Sequence, residues 1–134
     1  SRTAAASAFP LMRVEEMYLI EAEAVAHSNP EQGAALLNKF VKNYRDSKYS
    51  FSGTDKKTVV EEIILRKRIE LWGEGFSFFD LKRLNKGIDR AYEGNNHLPG
   101  YQLVLPALNK TWIYQIPQRE MQENTALTED DQNE

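Results

Sequence analysis

Apolar residues recur at helical spacing through the first two thirds of the chain, and the period then disappears. Leu11, Val14, Tyr18, Ala22 and Val25 mark one stripe of a helix predicted over Leu11 to His27, while Glu16, Glu23 and His27 share another face. Ala22, Ala24 and Ala26 are small enough to let a second helix close in. Ser28 to Gln32 reads as a stop and a restart: Asn29 is a good N-cap, Pro30 suits the first helical position, and Gln32 can reach back as in a capping box. Ala34, Leu37, Val41 and Tyr44 then form the stripe of a second helix, with Phe40 beside it. So short a connection folds two amphipathic helices back antiparallel.

Thr58 to Arg83 carries the strongest pattern. Val60, Ile63, Ile64 and Leu71 share one arc, and Leu65, Ile69 and Trp72 form a second on nearly the opposite side. A helix apolar on both sides is expected to be packed on both flanks, which puts Trp72 in the core. Thr58 with Glu61 makes a capping box at its start, and Gly73 and Gly75 mark a bend near its end. Phe76 to Asn85 forms a short fourth helix, capped by Gly87, with Phe76, Phe78 and Phe79 filling core. Residues 45 to 57 are polar and read as a loop, with Tyr49 and Phe51 turned to the core.

After Lys86 the chain is rich in Gly and Pro and predicts an irregular excursion, with short extended pieces near Gln102 to Leu105. Trp112 to Ile116 reads as extended, Pro117 opens a turn carrying Glu120 and Met121, and the acidic tail from Thr125 is expected to fray. The fold class is therefore mainly α: antiparallel helical hairpins, repeats only in a loose sense, followed by a long irregular loop region toward the C-terminus.

Charge changes this picture at one place. Glu70 and Glu74 fall within or beside the first apolar arc, where an unpaired carboxylate costs several kcal/mol, so Arg13, Lys67 and Arg83 are the predicted partners. Asp80 joins the same set of structural ion pairs. The alternative places these charges at the rim, reaching water along their stems. A catalytic carboxylate pair is disfavoured, because no cleft or third group accompanies it.

Composition excludes more than it identifies. The 134 residues suit one domain, and a net charge of −3 with mixed signs offers no basic stripe for nucleic acid. Without cysteine there is no disulfide, thiolate nucleophile or Cys-based zinc site. No apolar run is long enough to span a bilayer, and residues 1 to 10 lack the hydrophobic block of a secretory signal. Neither His27 nor His97 has partners at convincing metal-ligand spacing, and no phosphate loop or nucleophile elbow is present, so no cofactor is assigned and the chain reads as non-enzymatic.

One segment has the chemistry of a sugar site. A pyranose needs an aromatic plate for its apolar face and amide or charged groups for its hydroxyls. Tyr92 and Tyr101 are candidate plates, with Asn95, Asn96 and His97 between them, and Trp112 is a further candidate, set against the usual burial of an aromatic that precedes an extended segment. The competing reading is a surface loop whose polar groups make local turns and whose tyrosines cover the core.

Four ordered blocks resemble the C-terminal region of SusD/RagB-type outer-membrane nutrient-binding lipoproteins of Bacteroidetes. Arg13-Val-Glu-Glu-Met-Tyr-Leu-Ile-Glu-Ala-Glu-Ala24 is similar to the family's first helix here, and Ala35-Leu-Leu-Asn-Lys-Phe40 to its second. Arg68 to Arg83 resembles its Arg-x-x-Glu-Leu-x-x-Glu-Gly-x-Arg-x-x-Asp-Leu-x-Arg block, and Ile116-Pro-Gln-Arg-Glu120 with Asn124 and Gln132-Asn133 its closing pattern. Ser77 stands where the family usually has Arg, which leaves the network around Glu74 and Asp80 one cation short, and Thr125 replaces the usual Pro after Asn124.

The resemblance implies helix pairs that look like tetratricopeptide repeats. It also implies one domain, residues 1–134, forming the C-terminal part of a longer protein: a linker over 1–10, a helical scaffold over 11–87 and a loop-rich segment over 88–134. It further implies non-catalytic capture of an oligosaccharide or other nutrient, with a SusC-like TonB-dependent porter as partner. The location implied is the outer face of the outer membrane, with a lipid anchor on an N-terminal cysteine not present in this chain. The matched motifs are those of the scaffold rather than of a sugar site. A helical-repeat module binding protein or peptide is the alternative. A glycosidase would need two facing carboxylates in a pocket.

Overall fold

The computed structural model describes residues 12–133, so the expected linker over 1–10 and the helix start at Leu11 lie outside the described residues. The chain is mainly helical and divides into two compact units, one ending at Phe76 and the other beginning at Ser77.

In the first unit, α1 spans Val14–Ala26, α2 Pro30–Tyr44 and α3 Lys56–Glu70. Asn29 caps α2 as its sequence position predicts, its side-chain oxygen accepting from the Gln32 amide at 3.1 Å. The hairpin is antiparallel: Gly33, early in α2, meets Ala22 and Ala26 late in α1, whereas Phe40 and Tyr44 meet Tyr18. A Cβ on Gly33 would lie 2.5 Å from the Ala26 Cβ, so this crossing needs glycine against alanine. The core of the unit joins Leu19, Ala22 and Ala26 to Leu37, Phe40 and Val41, with Val59 and Ile63 of α3 and Tyr49 from the loop.

Three expectations change. The buried stripe of α1 is Leu19, Ala22, Glu23 and Ala26, while Val14 and Tyr18 are exposed. The helix is rotated because alanines allow the closest approach to α2. On α3 the cap is Asp55, which accepts from the Thr58 amide at 2.9 Å, not Thr58. A charged carboxylate at the positive end of the helix outcompetes a hydroxyl further in. Third, α3 is covered on one arc only. Ile63, Ile64 and Leu71 are buried, but Leu65, Ile69 and Trp72 are exposed, Trp72 at 85%. The α1–α2 hairpin presents one face, and only one arc of α3 can lie on it.

The loop over 45–57 is tied down as the aromatic residues suggest. Tyr49 is buried and donates to Glu62 at 2.8 Å, and burial first, then this bond, raises its phenol pKa. The Asn38 side chain bonds both the amide and the carbonyl of Phe51, at 2.9 and 2.8 Å. Gly73 and Gly75 take φ of +79° and +85° and turn the chain where the sequence predicts a bend.

In the second unit, α4 (which starts at Phe76 and ends at Arg83) closes through the left-handed Asn85, with the Lys86 amide bonded to the Leu81 carbonyl and the Asn85 amide to that of Lys82. Gly87 is therefore not the cap. A Cβ there would sit 2.3 Å from the Leu105 carbonyl oxygen, so glycine serves the approach of two strands instead. These are β1 (Ile88–Asp89) and β2 (Val104–Leu105), paired antiparallel with Ile88 opposite Leu105. Phe79 is exposed rather than core, and Phe78 is half-buried in an aromatic cluster with Trp112 and Tyr114. A short helix, α5, runs Gln118–Glu123. The tail does not fray over the described residues: Gln132 bonds both the amide and carbonyl of Ile116, and Asn133 donates to the Tyr114 carbonyl.

Candidate ligand-binding loop

The β1–β2 pair brackets the segment richest in sugar-binding chemistry. The Arg90 amide donates to the Leu103 carbonyl at 2.9 Å, which extends the ribbon, so Tyr92 to Tyr101 forms the projecting part of a closed loop. Gly94, at φ +80°, makes the first turn. Asn95 then spends its amide locally: its nitrogen donates to the Tyr92 carbonyl at 2.7 Å, and its oxygen accepts from the His97 amide at 3.0 Å. The Gln102 side chain holds the His97 carbonyl, and Pro99–Tyr101 forms a 3-10 turn.

Asn95 therefore shapes the loop rather than offering itself to a ligand. Tyr92 and Tyr101 do not cover the core; both are exposed, as are Asn96 and His97. Two phenol rings, an amide and an imidazole thus reach solvent from one short loop with fixed ends. That set can stack on an apolar face and bond hydroxyls.

Of the two readings of Trp112, plate or buried packing, the structure takes the second. Trp112 is 6% exposed, its ring lies 5.6 Å from that of Phe78, and its indole N–H donates to the Pro106 carbonyl at 3.0 Å. An aromatic with its polar handle already satisfied inside the unit belongs to packing. It backs a groove of about 270 Å³ shared with Leu81, Leu108, Ile113, Lys82 and Lys86.

The ion pairs predicted around Glu70 form a network within the first unit. Arg13 donates to the Glu70 carbonyl at 3.0 Å and to the carboxylates of both Glu70 and Glu74. Arg45 grips Glu70 through two bonds, at 2.6 and 2.7 Å, and also reaches Glu15. Hydrogen bonding from Arg45, opposed by burial and aided by both guanidinium charges, holds the Glu70 carboxyl below its ordinary range. Lys67 is itself buried on α3, and in the second unit Arg83 bonds the buried Asp80 at 2.8 Å. Arg45 is the partner that sequence reasoning missed, because it lies just past the end of α2, where helical spacing gives no guide. No group of three or more His, Asp or Glu among the described residues is placed to hold a metal ion.

Comparison with known proteins gives these elements a family. A SusD-like carbohydrate binding protein from Bacteroides vulgatus ATCC 8482 is similar in structure, with a TM-score of 0.68 and 31% identity. The likeness covers 90% of this chain and 30% of that one, so this chain spans less than a third of that relative's length. No curated protein matches the sequence. The SusD family pattern runs from residue 1 to residue 134, and the chain belongs to that family.

Proposed function

We propose that this chain contributes to non-catalytic capture of carbohydrate for uptake across the bacterial outer membrane. The observation that carries the reading is the family match along the whole sequence, joined by likeness to a SusD-like carbohydrate binding protein. The exposed Tyr92–Tyr101 loop supplies stacking and hydroxyl-bonding groups of the right kind. The partner proposed is a SusC-like TonB-dependent porter at the outer face of that membrane, with lipid anchorage through a cysteine outside this sequence. The exposed Leu65 and Ile69 of α3, with Trp72 just past its end, support a protein contact of this sort, since large exposed apolar side chains at that spacing suit a macromolecular partner. The same side chains would serve a helical-repeat interaction module, and retention of protein binding with no sugar binding would favour that second reading.

Calorimetric titration with maltohexaose, cellohexaose and laminarihexaose tests the proposal. At least one sugar is expected to bind, and Tyr101→Ala is expected to weaken it about tenfold or more with the melting temperature nearly unchanged. Silence with all three sugars overturns the carbohydrate reading. A large melting shift in Tyr101→Ala would move that residue from the site to the packing.

A further inference from the structure

A second aromatic surface lies on the α1–α2 hairpin, in the other unit from the Tyr92–Tyr101 loop. Tyr18 of α1 stacks on Tyr44 of α2, centroids 6.0 Å apart and planes 26° from parallel, and Phe40 lies 5.7 and 5.8 Å from the two rings. They border a groove of about 200 Å³ whose polar lining is Glu21, Lys39 and Asn43. Phe40 is buried beneath, but Tyr18 and Tyr44 remain 41% and 55% exposed. Core aromatics would be covered; these form a floor with an open side.

The floor is also held rigid. The Arg45 guanidinium sits 5.6 Å from the Phe40 ring centroid and donates to the Tyr44 carbonyl at 2.8 Å. That guanidinium is fixed in turn by two bonds to Glu70, whose side chain is only 10% exposed. Tyr18, Tyr44 and Glu21 line the same groove, and the Tyr18 phenol pKa is raised, first by hydrogen bonding with the Tyr44 hydroxyl and last by the Glu21 carboxylate. Glu21, Lys39 and Asn43 form no side-chain hydrogen bond or ion pair among the described residues, leaving acceptors and donors free at the rim. An aromatic plate ringed by a carboxylate, an ammonium and an amide complements a ring with an apolar C–H face and outward hydroxyls. A purely hydrophobic partner would leave those three groups without bonds.

We propose that the Tyr18–Phe40–Tyr44 groove is a second carbohydrate subsite, taking one pyranose ring of a glycan. The assignment rests on the carbohydrate reading above and adds to it a position on the scaffold helices, where the matched motifs by themselves imply none. Fixed stacking geometry, with the floor clamped by Arg45, lowers the ordering cost that a mobile surface tyrosine would impose on binding.

Ring-resolved NMR titration of the whole chain with the same three hexasaccharides, and with a hexaproline peptide, tests it. The Tyr18 and Tyr44 ring signals are expected to move with at least one sugar and not with the peptide. Tyr44→Ala is expected to weaken the response read at Tyr18 about tenfold. Because Tyr44 also touches the hairpin, the paired exposed changes Lys39→Ala and Asn43→Ala provide a gentler variant. They should weaken binding at Tyr18 and leave the Tyr101 response and the melting temperature unaltered. Sugar shifts confined to Tyr92 and Tyr101 overturn this subsite and leave the carbohydrate reading standing. Movement with hexaproline alone assigns the groove to peptide and also overturns the subsite. No shift anywhere with any sugar removes both.

Discussion

The unit ending at Phe76 and the unit beginning at Ser77 reach order by different means. In the first, helices bury aliphatic side chains against one another, and the loop between α2 and α3 is pinned by Tyr49 and Asn38. In the second, Asp80 and Trp112 are the only side chains that become buried among the described residues. Its backbone is instead held by single side chains: Gln132 on Ile116, Asn133 on Tyr114, and Asn95 on its own turn. Apolar burial is non-directional and distributes stability over many residues, whereas a side-chain staple fixes one carbonyl or amide at a time. The second arrangement leaves a loop such as Tyr92–Tyr101 free of packing demands while its ends stay closed, which suits a binding surface.

The strongest test falls at the Glu70 ion-pair cluster of the helical unit. Glu70→Ala is expected to cost about 3 kcal/mol in chemical denaturation, since it removes the mostly buried acceptor that Arg13 and Arg45 share, leaving them only Glu74 and Glu15. Glu74→Ala, whose side chain is 36% exposed against 10% for Glu70, should cost less than about 1 kcal/mol. Equal losses would show that burial does not separate the two carboxylates. The folded Glu70 carboxyl titrates below its unfolded value of 4.5, so its stabilising contribution is present above that pH and fades as pH falls through the lower folded value. Glu70→Gln should therefore flatten the acid side of the stability profile below about pH 4.5.

The next effect lies in the helix crossing. Alanine ordinarily improves a helix, but Gly33→Ala is expected to destabilise by about 1–3 kcal/mol, because its Cβ has no room against Ala26. Adding Ala26→Gly should recover part of the loss in a double-mutant cycle; strict additivity would deny the contact. The smallest effect belongs to the stapled unit. Gln132→Ala should cost about 1 kcal/mol and speed hydrogen exchange at the Ile116 amide, while amides around Leu19 and Leu37 keep their protection. Uniform acceleration in both units would dissolve the distinction between them.

Two residues compete for the start of α3: Thr58 with Glu61 has the capping-box pattern, whereas Asp55, three residues upstream, has the carboxylate that caps the helix. An apolar residue on a regular stripe, as Trp72 is, ordinarily predicts burial; only the position of the α1–α2 hairpin shows which stripe of α3 is covered. Within the candidate loop, residue types pointed to the segment but could not tell the exposed Tyr92 and Tyr101 from the locally bonded Asn95, because turn geometry decides which polar groups remain free.

The features legible in residue order are local. They are the helical periods, the Asn29 cap, the bend at Gly73 and Gly75, and the end of helical pattern before the β1–β2 ribbon. Each depends on residues a few positions apart, whose preferences act before any long-range contact forms. Tertiary structure alone decided that Arg45 rather than a helix-spaced neighbour clamps Glu70, that Gly87 admits the Leu105 carbonyl, and that Tyr18 meets Tyr44 on an open face. Those outcomes join residues far apart in the chain, and their geometry exists only once packing has fixed where each helix and strand lies.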